Sequence, residues 1–312
     1  MDKQVLKGML FTAVGAVCWG FSGTCAQLLM DVYGVPLAWN VCTRLTFAAL
    51  LYLVFCFATQ KDTLVAIFKQ PREVGKLFVF SIFGVLLVQL CYQGCVSQSN
   101  AGTATVFERC GLIIIMACIC ISSRRLPRKR ELIGVALAIV GTFCIATKGN
   151  PGTLALPVEA LLWGAGSACS LVFYTLMPVK LLNRWGSVAT TTVSMAFAAV
   201  IANAVVQPWN IDVAVTPEIV LAMAALVVVG TLFAYLMFLQ GLKLAGPMRA
   251  GLVGSIEPVA ATVISAVWLG TYVGPFDIIG CAMIVVMVLL VTQRDEEPSK
   301  PSAPSSDAEA LR

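Results

Sequence analysis

Cys18-Trp19-Gly20-Phe21-Ser22-Gly23-Thr24-Cys25 has a second copy further along the chain, Leu162-Trp163-Gly164-Ala165-Gly166-Ser167-Ala168-Cys169. Trp-Gly and the later Cys recur at an offset of about 144 residues, the kind of period that marks a chain built twice. Ala101-Gly102 and Ala245-Gly246 recur at a similar offset, each shortly before a helix-length run. Gly134 and Gly280 stand near the starts of two further runs that echo each other.

Both copies lie inside long apolar runs. The first run, Gly8 to about Met30, is too long for the h-region of a signal peptide and more such runs follow, so it reads as a retained helix. Of the 312 residues 59% are hydrophobic and only 12% charged, too little charge to cover a water-facing surface. The mean hydropathy of +0.90 agrees, and lipid must be the solvent for most of the exterior. A helix needs about 20 mostly apolar residues to cross. Ten segments qualify, at about 8–30, 37–58, 76–96, 102–121, 132–147, 155–177, 187–206, 218–240, 249–269 and 275–292. The runs are continuous and not alternating, which excludes a membrane β-barrel.

The loops set the orientation. With the N-terminus in the cytoplasm, Lys3, Lys7, Lys61, Lys69, Arg72 and Lys76 fall on the cytoplasmic side. So do Arg124, Arg125, Arg128, Lys129, Arg130, Lys180, Arg184, Lys243, Arg249 and Arg294, while the opposite side receives Lys148 alone. This asymmetry supports the ten-segment count with both termini cytoplasmic. Tyr33, Trp39, Trp209, Trp268 and Tyr272 fall at outer ends, where amphipathic rings anchor at headgroup level. Five helices per half is odd, so the second half enters the membrane upside down relative to the first. Residues 1–149 and 150–293 form two inverted repeats, and 294–312, rich in Pro, Ser and acidic residues, reads as a disordered cytoplasmic tail. Inverted repeats are a transporter architecture with the binding site near the midplane between the copies.

Composition also narrows the chemistry. The net charge of +5 reports topology, and no nucleic-acid partner is expected. The twelve Cys lie mostly within apolar runs as small hydrophobes, without a CxxC pair. With no His, a Ser/His/Asp set is impossible and the commonest metal ligand is missing; no metal and no cofactor are expected. No zincin motif or P-loop occurs, so the chain does not read as an enzyme and does not itself use ATP.

Charges within spans are expensive and point to function. Arg44 in the second segment, and Glu108 and Arg109 in the fourth, lie about two turns from the outer end. One of the two Arg is expected to pair with Glu108 and face a central cavity, where its planar fork suits a substrate carboxylate. Snorkelling of both Arg to the surface is the alternative. Glu257 lies roughly two turns from the cytoplasmic end of the ninth segment, followed by Pro258, whose kink suits a gate or a coupling site; a fixed structural bend with Glu257 bonded to a neighbouring helix is the alternative. Trp19 and Trp163, at matching places in the halves, and Tyr92 and Tyr235 are expected either to line the cavity or to pack between helices. Gln89 and Gln93 are one turn apart and share an inward face, there either to bind substrate or to bond to another helix. Gly15, Gly20, Gly23, Gly164, Gly166 and Ser167 let the first and sixth segments pack closely. Glu159 and Asp277 follow Pro157 and Pro275 as first-turn helix charges.

Taken together these residues resemble the EamA-type carriers of the drug/metabolite transporter superfamily, over the chain to about Thr292. The resemblance is carried by Trp19-Gly20, Asn100-Ala101-Gly102-Thr103-Ala104, Glu131-Leu132-Ile133-Gly134 and Gly141. Trp163-Gly164, Tyr235, Ala245-Gly246 and Glu257-Pro258 carry it in the second half. Members often have Gly-Glu after helices 4 and 9, where this chain has Ser123-Arg124 and Gly270-Thr271; they also have a mid-helix Pro in helix 4, where this chain has Glu108-Arg109. The resemblance implies a bacterial inner-membrane carrier exporting amino acids or related metabolites. A channel or receptor is the competing expectation; a channel needs a continuous polar pore face, which the sparse charges do not form.

Overall fold

In a bilayer every backbone N–H and C=O must find its partner within the protein, and a helix does this locally. The computed structural model describes residues 3–98, 101–154, 157–269 and 272–292, and the described secondary structure is helical. The tail 294–312, Asn100, Gly270-Thr271 and the side chain of Trp268 lie outside the described residues. Among the described residues eight helices are long and apolar enough to cross a membrane: α1 Lys3–Val32, α2 Leu37–Phe68, α3 Pro71–Gln98, α4 Ala101–Ser122, α5 Lys129–Thr147, α6 Val158–Leu176, α7 Val179–Val206 and α8 Pro217–Ala245. Two short helices follow, α9 Pro247–Gly254 and α10 Glu257–Leu269, then α11 Pro275–Thr292.

The continuous ninth segment expected over 249–269 is therefore two helices of 8 and 13 residues. The chain explains the break. Gly246 takes φ +82°, a conformation open to glycine, and Pro247 starts α9. Pro258 has no N–H for the carbonyl of Gly254, so α9 stops there and the chain restarts at Glu257. The sequence expectation was a kink; the structure has a restart, with Pro258 in a first turn where no N–H is needed. Elsewhere helices outrun their apolar cores. α2 continues to Phe68 past a non-helical Gln60, and α7 begins at Val179 and turns at Gly186, φ +80°. Both extensions carry the charged residues at which the apolar runs stop.

Three helices contain a wide π turn: Leu28–Val32 in α1, Ser81–Leu86 in α3 and Val228–Phe233 in α8. Such turns rotate carbonyls out of the ladder and recur at functional sites.

Helix pairing crosses the middle of the chain. α1 packs on α8 and α10, α2 on α7, α3 and α4 on α6, and α5 on α11. The small residues set these crossings. A Cβ on Gly15 would lie 2.9 Å from the Ala234 carbonyl of α8, and one on Gly20 2.8 Å from the Glu257 carbonyl of α10. Gly164 abuts Phe107 of α4 and Gly166 abuts Cys91 of α3, whereas Gly23 faces open space. The α5–α11 crossing is the tightest in kind, because Gly141 and Gly280 oppose each other's backbone; a Cβ on Gly280 would lie 2.4 Å from the Gly141 carbonyl.

Backbone cannot yield as a flexible side chain does. Gly280→Ala is expected to lower stability by about 1–3 kcal/mol. Gly75→Ala, whose Cβ meets nothing within 4 Å, is expected to be neutral or slightly stabilising. Thermal unfolding of the two detergent-purified variants checks the contrast, and equal midpoints would overturn it.

Candidate functional site

The long helices surround a small cavity of about 70 Å³. Its walls carry most of the ionisable groups that the sequence places within spans: Arg44, Glu108, Arg109 and Glu257. Trp19, Gln89, Tyr92, Gln93 and Tyr235 also line it.

Arg44 is 5% exposed and held by neutral oxygens. Its Nε donates to Thr231 Oγ1 at 2.7 Å, and its Nη2 donates to Ser22 Oγ at 3.1 Å and to the Gly230 carbonyl at 3.0 Å. Thr231 and Gly230 belong to the π turn of α8. Tyr52 of α2 donates to Leu232 of the same turn. The widened turn thus supplies acceptors that a regular α-helix would use internally. Gly230 must be glycine here, since a Cβ would lie 2.4 Å from Ser22 of α1. With Nε and Nη2 engaged, the Nη1 edge of Arg44 is held by no acceptor among the described residues, and Arg44 lines the cavity.

Arg109 works differently. Its Nη2 donates to Glu257 Oε2 at 2.8 Å and to Glu108 Oε2 at 3.2 Å. One guanidinium therefore ties α4 to the first turn of α10 and serves two carboxylates. Its buried Nε has no hydrogen-bond partner among the described residues. Of the two Arg expected to pair with Glu108, the structure chooses Arg109, and it adds Glu257. Arg44 and Arg109 are both buried, at 5% and 3% exposure, which excludes snorkelling to the surface.

The neutral polar groups are mostly cross-linked. Gln89 donates to the Tyr235 hydroxyl at 2.5 Å, Asn40 to Gln93 Oε1 at 3.3 Å, and Tyr92 and Thr105 share a hydrogen bond at 3.1 Å. Gln93 Nε2 and Asn40 Oδ1 are buried without a partner among the described residues. On the side toward the N-terminus, Trp19 packs against Phe238 with ring centroids 4.6 Å apart and meets Tyr235 edge-on at 5.4 Å. Tyr174 adds contacts at 5.6 Å to Tyr235 and 5.7 Å to Phe238. These rings form a floor. On the other side Trp19, Gly23, Tyr92 and Glu257 also border a cleft of about 590 Å³. Lys148, Asn150, Tyr272 and Pro258 line that cleft further out. The aromatic floor thus lies on the side carrying the chain's N-terminus, and the cavity shares lining residues with the cleft on the side carrying Lys148.

One expected member is elsewhere. Trp163 does not line the cavity; its ring lies on the face of α3 left bare by Gly94, where a Cβ would be 2.7 Å away. The matching positions of Trp19 and Trp163 therefore do not have matching surroundings. The sequence reading missed Ser22, Asn40, Tyr174, Thr231 and Phe238. Asn40 is a lone amide in an apolar run, and the rule that selected Gln89 and Gln93 selects it too. Ser22 sits inside the repeated stretch quoted above. Nothing in the sequence distinguishes Thr231, Tyr174 or Phe238, which act through the neighbours that packing gives them. Glu159 and Asp277 are first-turn residues of α6 and α11, and Asp277 accepts from the Gly274 N–H at 2.8 Å.

Known proteins share this architecture. The model of the EamA-like transporter family matches twice, at residues 6–147 and 158–293. The uncharacterized inner membrane transporter YicL of Salmonella typhimurium (strain LT2) is 32% identical over 286 residues, spanning 92% of this chain and 95% of that protein. The uncharacterized transporter YwfM of Bacillus subtilis (strain 168) is 22% identical over 91% of this chain and 93% of its own. A solved crystal structure superposes with a TM-score of 0.71 over 94% of this chain and 97% of that one; at 20% identity the likeness is one of fold.

Removing one member of a buried charge set leaves the others uncompensated, at a cost of about 3–5 kcal/mol. Arg109→Met is expected to lose stability on that scale, and adding Glu257→Gln is expected to recover part of the loss. Unfolding midpoints of the single and double variants measure this; an additive second loss would show that Arg109 does not compensate Glu257.

Proposed function

Because the chain belongs to the EamA-like transporter family, and is thereby a multi-pass inner-membrane transporter, we propose that it is a secondary carrier that exports small carboxylate-bearing metabolites such as amino acids. The observation that carries this reading is the unheld Nη1 edge of Arg44 at a cavity whose opposite charges sit on Glu108 and Glu257. A guanidinium fixed by neutral acceptors keeps its full charge for an arriving anion. A zwitterion fits the pairing: carboxylate at Arg44, ammonium toward Glu257, side chain against Trp19, Tyr92 and Tyr235. Gln89 and Gln93 position the aromatic and amide wall, and Arg109 holds Glu108 and Glu257 in place. Trp163 supports α3 from outside the cavity.

The transport cycle follows from alternating access between two inverted halves, 1–149 and 150–293, in ten spans with both termini cytoplasmic. The doubled family match, the pairing of helices across the middle of the chain and the basic loops support this reading. In it α9 and α10 together make one broken span. The break before Glu257-Pro258 and the π turns of α3 and α8 are the points at which the halves flex, and the Trp19 floor parts to admit substrate from the cytoplasm.

Counterflow in proteoliposomes tests the carrier. Labelled amino acid is expected to accumulate against unlabelled amino acid inside, which a channel cannot do. Arg44→Gln is expected to reduce exchange about tenfold or more, since a hydrogen bond to a charged group contributes about 1.5–3 kcal/mol. Amino-acid methyl esters are expected not to compete. Competition by the ester equal to that of the acid would remove Arg44 from carboxylate recognition, and no exchange by folded protein would remove amino acids as the class. The orientation has its own check: a fluorescent protein fused after Arg312 is expected to fluoresce and a periplasmic phosphatase fused there to stay inactive, with the reverse result refuting the cytoplasmic C-terminus.

A further inference from the structure

Arg44 by itself is an incomplete partner for a carboxylate. Its Nε donates to Thr231, and Nη2 donates both to Ser22 and to the Gly230 carbonyl. Each fork that a guanidinium can offer, Nε with Nη2 or Nη1 with Nη2, needs Nη2. The bidentate contact is therefore closed, and Nη1 can serve one carboxylate oxygen. The other oxygen then needs a donor of its own, because an unpaired buried acceptor is costly. A cavity of about 70 Å³ leaves little space for water beside a ligand.

Three groups that line this cavity have a donor atom buried without a partner among the described residues: Arg109 Nε, Tyr174 OH and Gln93 Nε2. Arg109 already sits between Glu108 and Glu257, where a third carboxylate would be repelled. Tyr174 belongs to the aromatic floor, against Trp19, Phe80, Tyr235 and Phe238. Gln93 is tied to the turn of α2 next to Arg44. Asn40 and Arg44 lie four residues apart on α2, one turn and about 6 Å along the same face. Asn40 Nδ2 donates to Gln93 Oε1 at 3.3 Å. That bond decides which way round the Gln93 amide sits, with its carbonyl toward Asn40 and its NH2 directed elsewhere. Asn40 is wholly buried and outside the cavity lining, whereas Gln93 is within it.

We propose that Gln93 Nε2 donates to the second oxygen of the substrate carboxylate whose first oxygen takes Arg44 Nη1, and that Asn40 is the positioning residue that keeps the donor edge of Gln93 toward the cavity. The proposal rests on the carboxylate reading above and sharpens it. The site demands a free carboxylate, an acceptor at both oxygens. A carboxamide in the same place sets its own NH2 against that of Gln93 or against Nη1 of Arg44, donor to donor.

The test uses the full chain in proteoliposomes and measures inhibition of labelled amino-acid exchange by L-alanine, L-leucine and L-phenylalanine, each against its own amide. On the unaltered chain the acid is expected to compete at least about tenfold better than the amide. Gln93→Leu is expected to narrow that preference about tenfold, by weakening the acid and leaving the amide where it was. Asn40→Leu is expected to narrow it from the other side, because an unheld Gln93 can turn its carbonyl to the amide. If Gln93→Leu fails to fold, N40L/Q93L removes both amides together, leaves neither orphaned and carries the same expectation. An unchanged preference in folded Gln93→Leu would overturn the proposal, and narrowing by Tyr174→Phe in its place would assign the donor to Tyr174. Equal weakening of acid and amide would also overturn it, since that is the mark of a purely structural Gln93. Acid and amide competing equally on the unaltered chain, or neither competing, would instead sink the carboxylate reading itself and this proposal with it.

Discussion

An arginine cannot sit inside an apolar bundle unless the bundle supplies acceptors, and much of this fold is arranged around that requirement. In a regular helix each carbonyl already serves the ladder and points along the axis, so few are turned toward a side chain of a neighbouring helix. The π turn in α8 releases that constraint at one level, and Arg44 and Tyr52 of α2 both donate into it. Ser22 of α1 completes the cradle, and Gly230 allows α1 close enough to offer it. Three helices are thus registered against one another by a single buried cation.

Arg109 illustrates the other solution, compensation by charge. Two carboxylates on different helices share it, and one of them, Glu257, exists as a helix-first-turn residue because Pro258 forces the chain to restart. The two arginines differ in what they leave over. Arg44 keeps its charge uncompensated by contact and an edge toward the cavity, while Arg109 is bound up with acids. Within one cavity this produces a positive pole and a negative pole, with aromatic rings as the floor between them and the end that carries the chain's N-terminus. The cleft on the far side shares Trp19, Gly23, Tyr92 and Glu257 with the cavity.

The close helix contacts have the same logic in apolar form. With no hydrophobic force between helices in lipid, contact comes from shape, and glycine opposite backbone gives the nearest approach. Gly141 against Gly280 and Gly15 against α8 are such contacts. They join residues far apart in sequence, so the first and second halves of the chain are interleaved and not set side by side.

By itself the sequence determined the solvent, the secondary structure class and the family. Apolar runs of bilayer length with so few charges admit helices alone, and Trp19-Gly20, Trp163-Gly164 and Glu257-Pro258 stand at fixed places in a duplicated pattern. It also marked Arg44, Glu108, Arg109 and Glu257, since an ionisable residue in such a run is conspicuous. Only the tertiary structure decided which charge meets which. It paired Arg109 with Glu257 across 148 positions and gave Arg44 neutral partners. It separated Trp19 from Trp163, which the repeat presents as equals. It divided the ninth apolar segment in two, because hydropathy averages over a window and does not register one missing N–H. The physical reason is common to these cases. Burial preference is a property of a residue and can be read along the chain, whereas a hydrogen-bond partner is a property of a place, set by how glycine contacts and widened turns bring separate helices together.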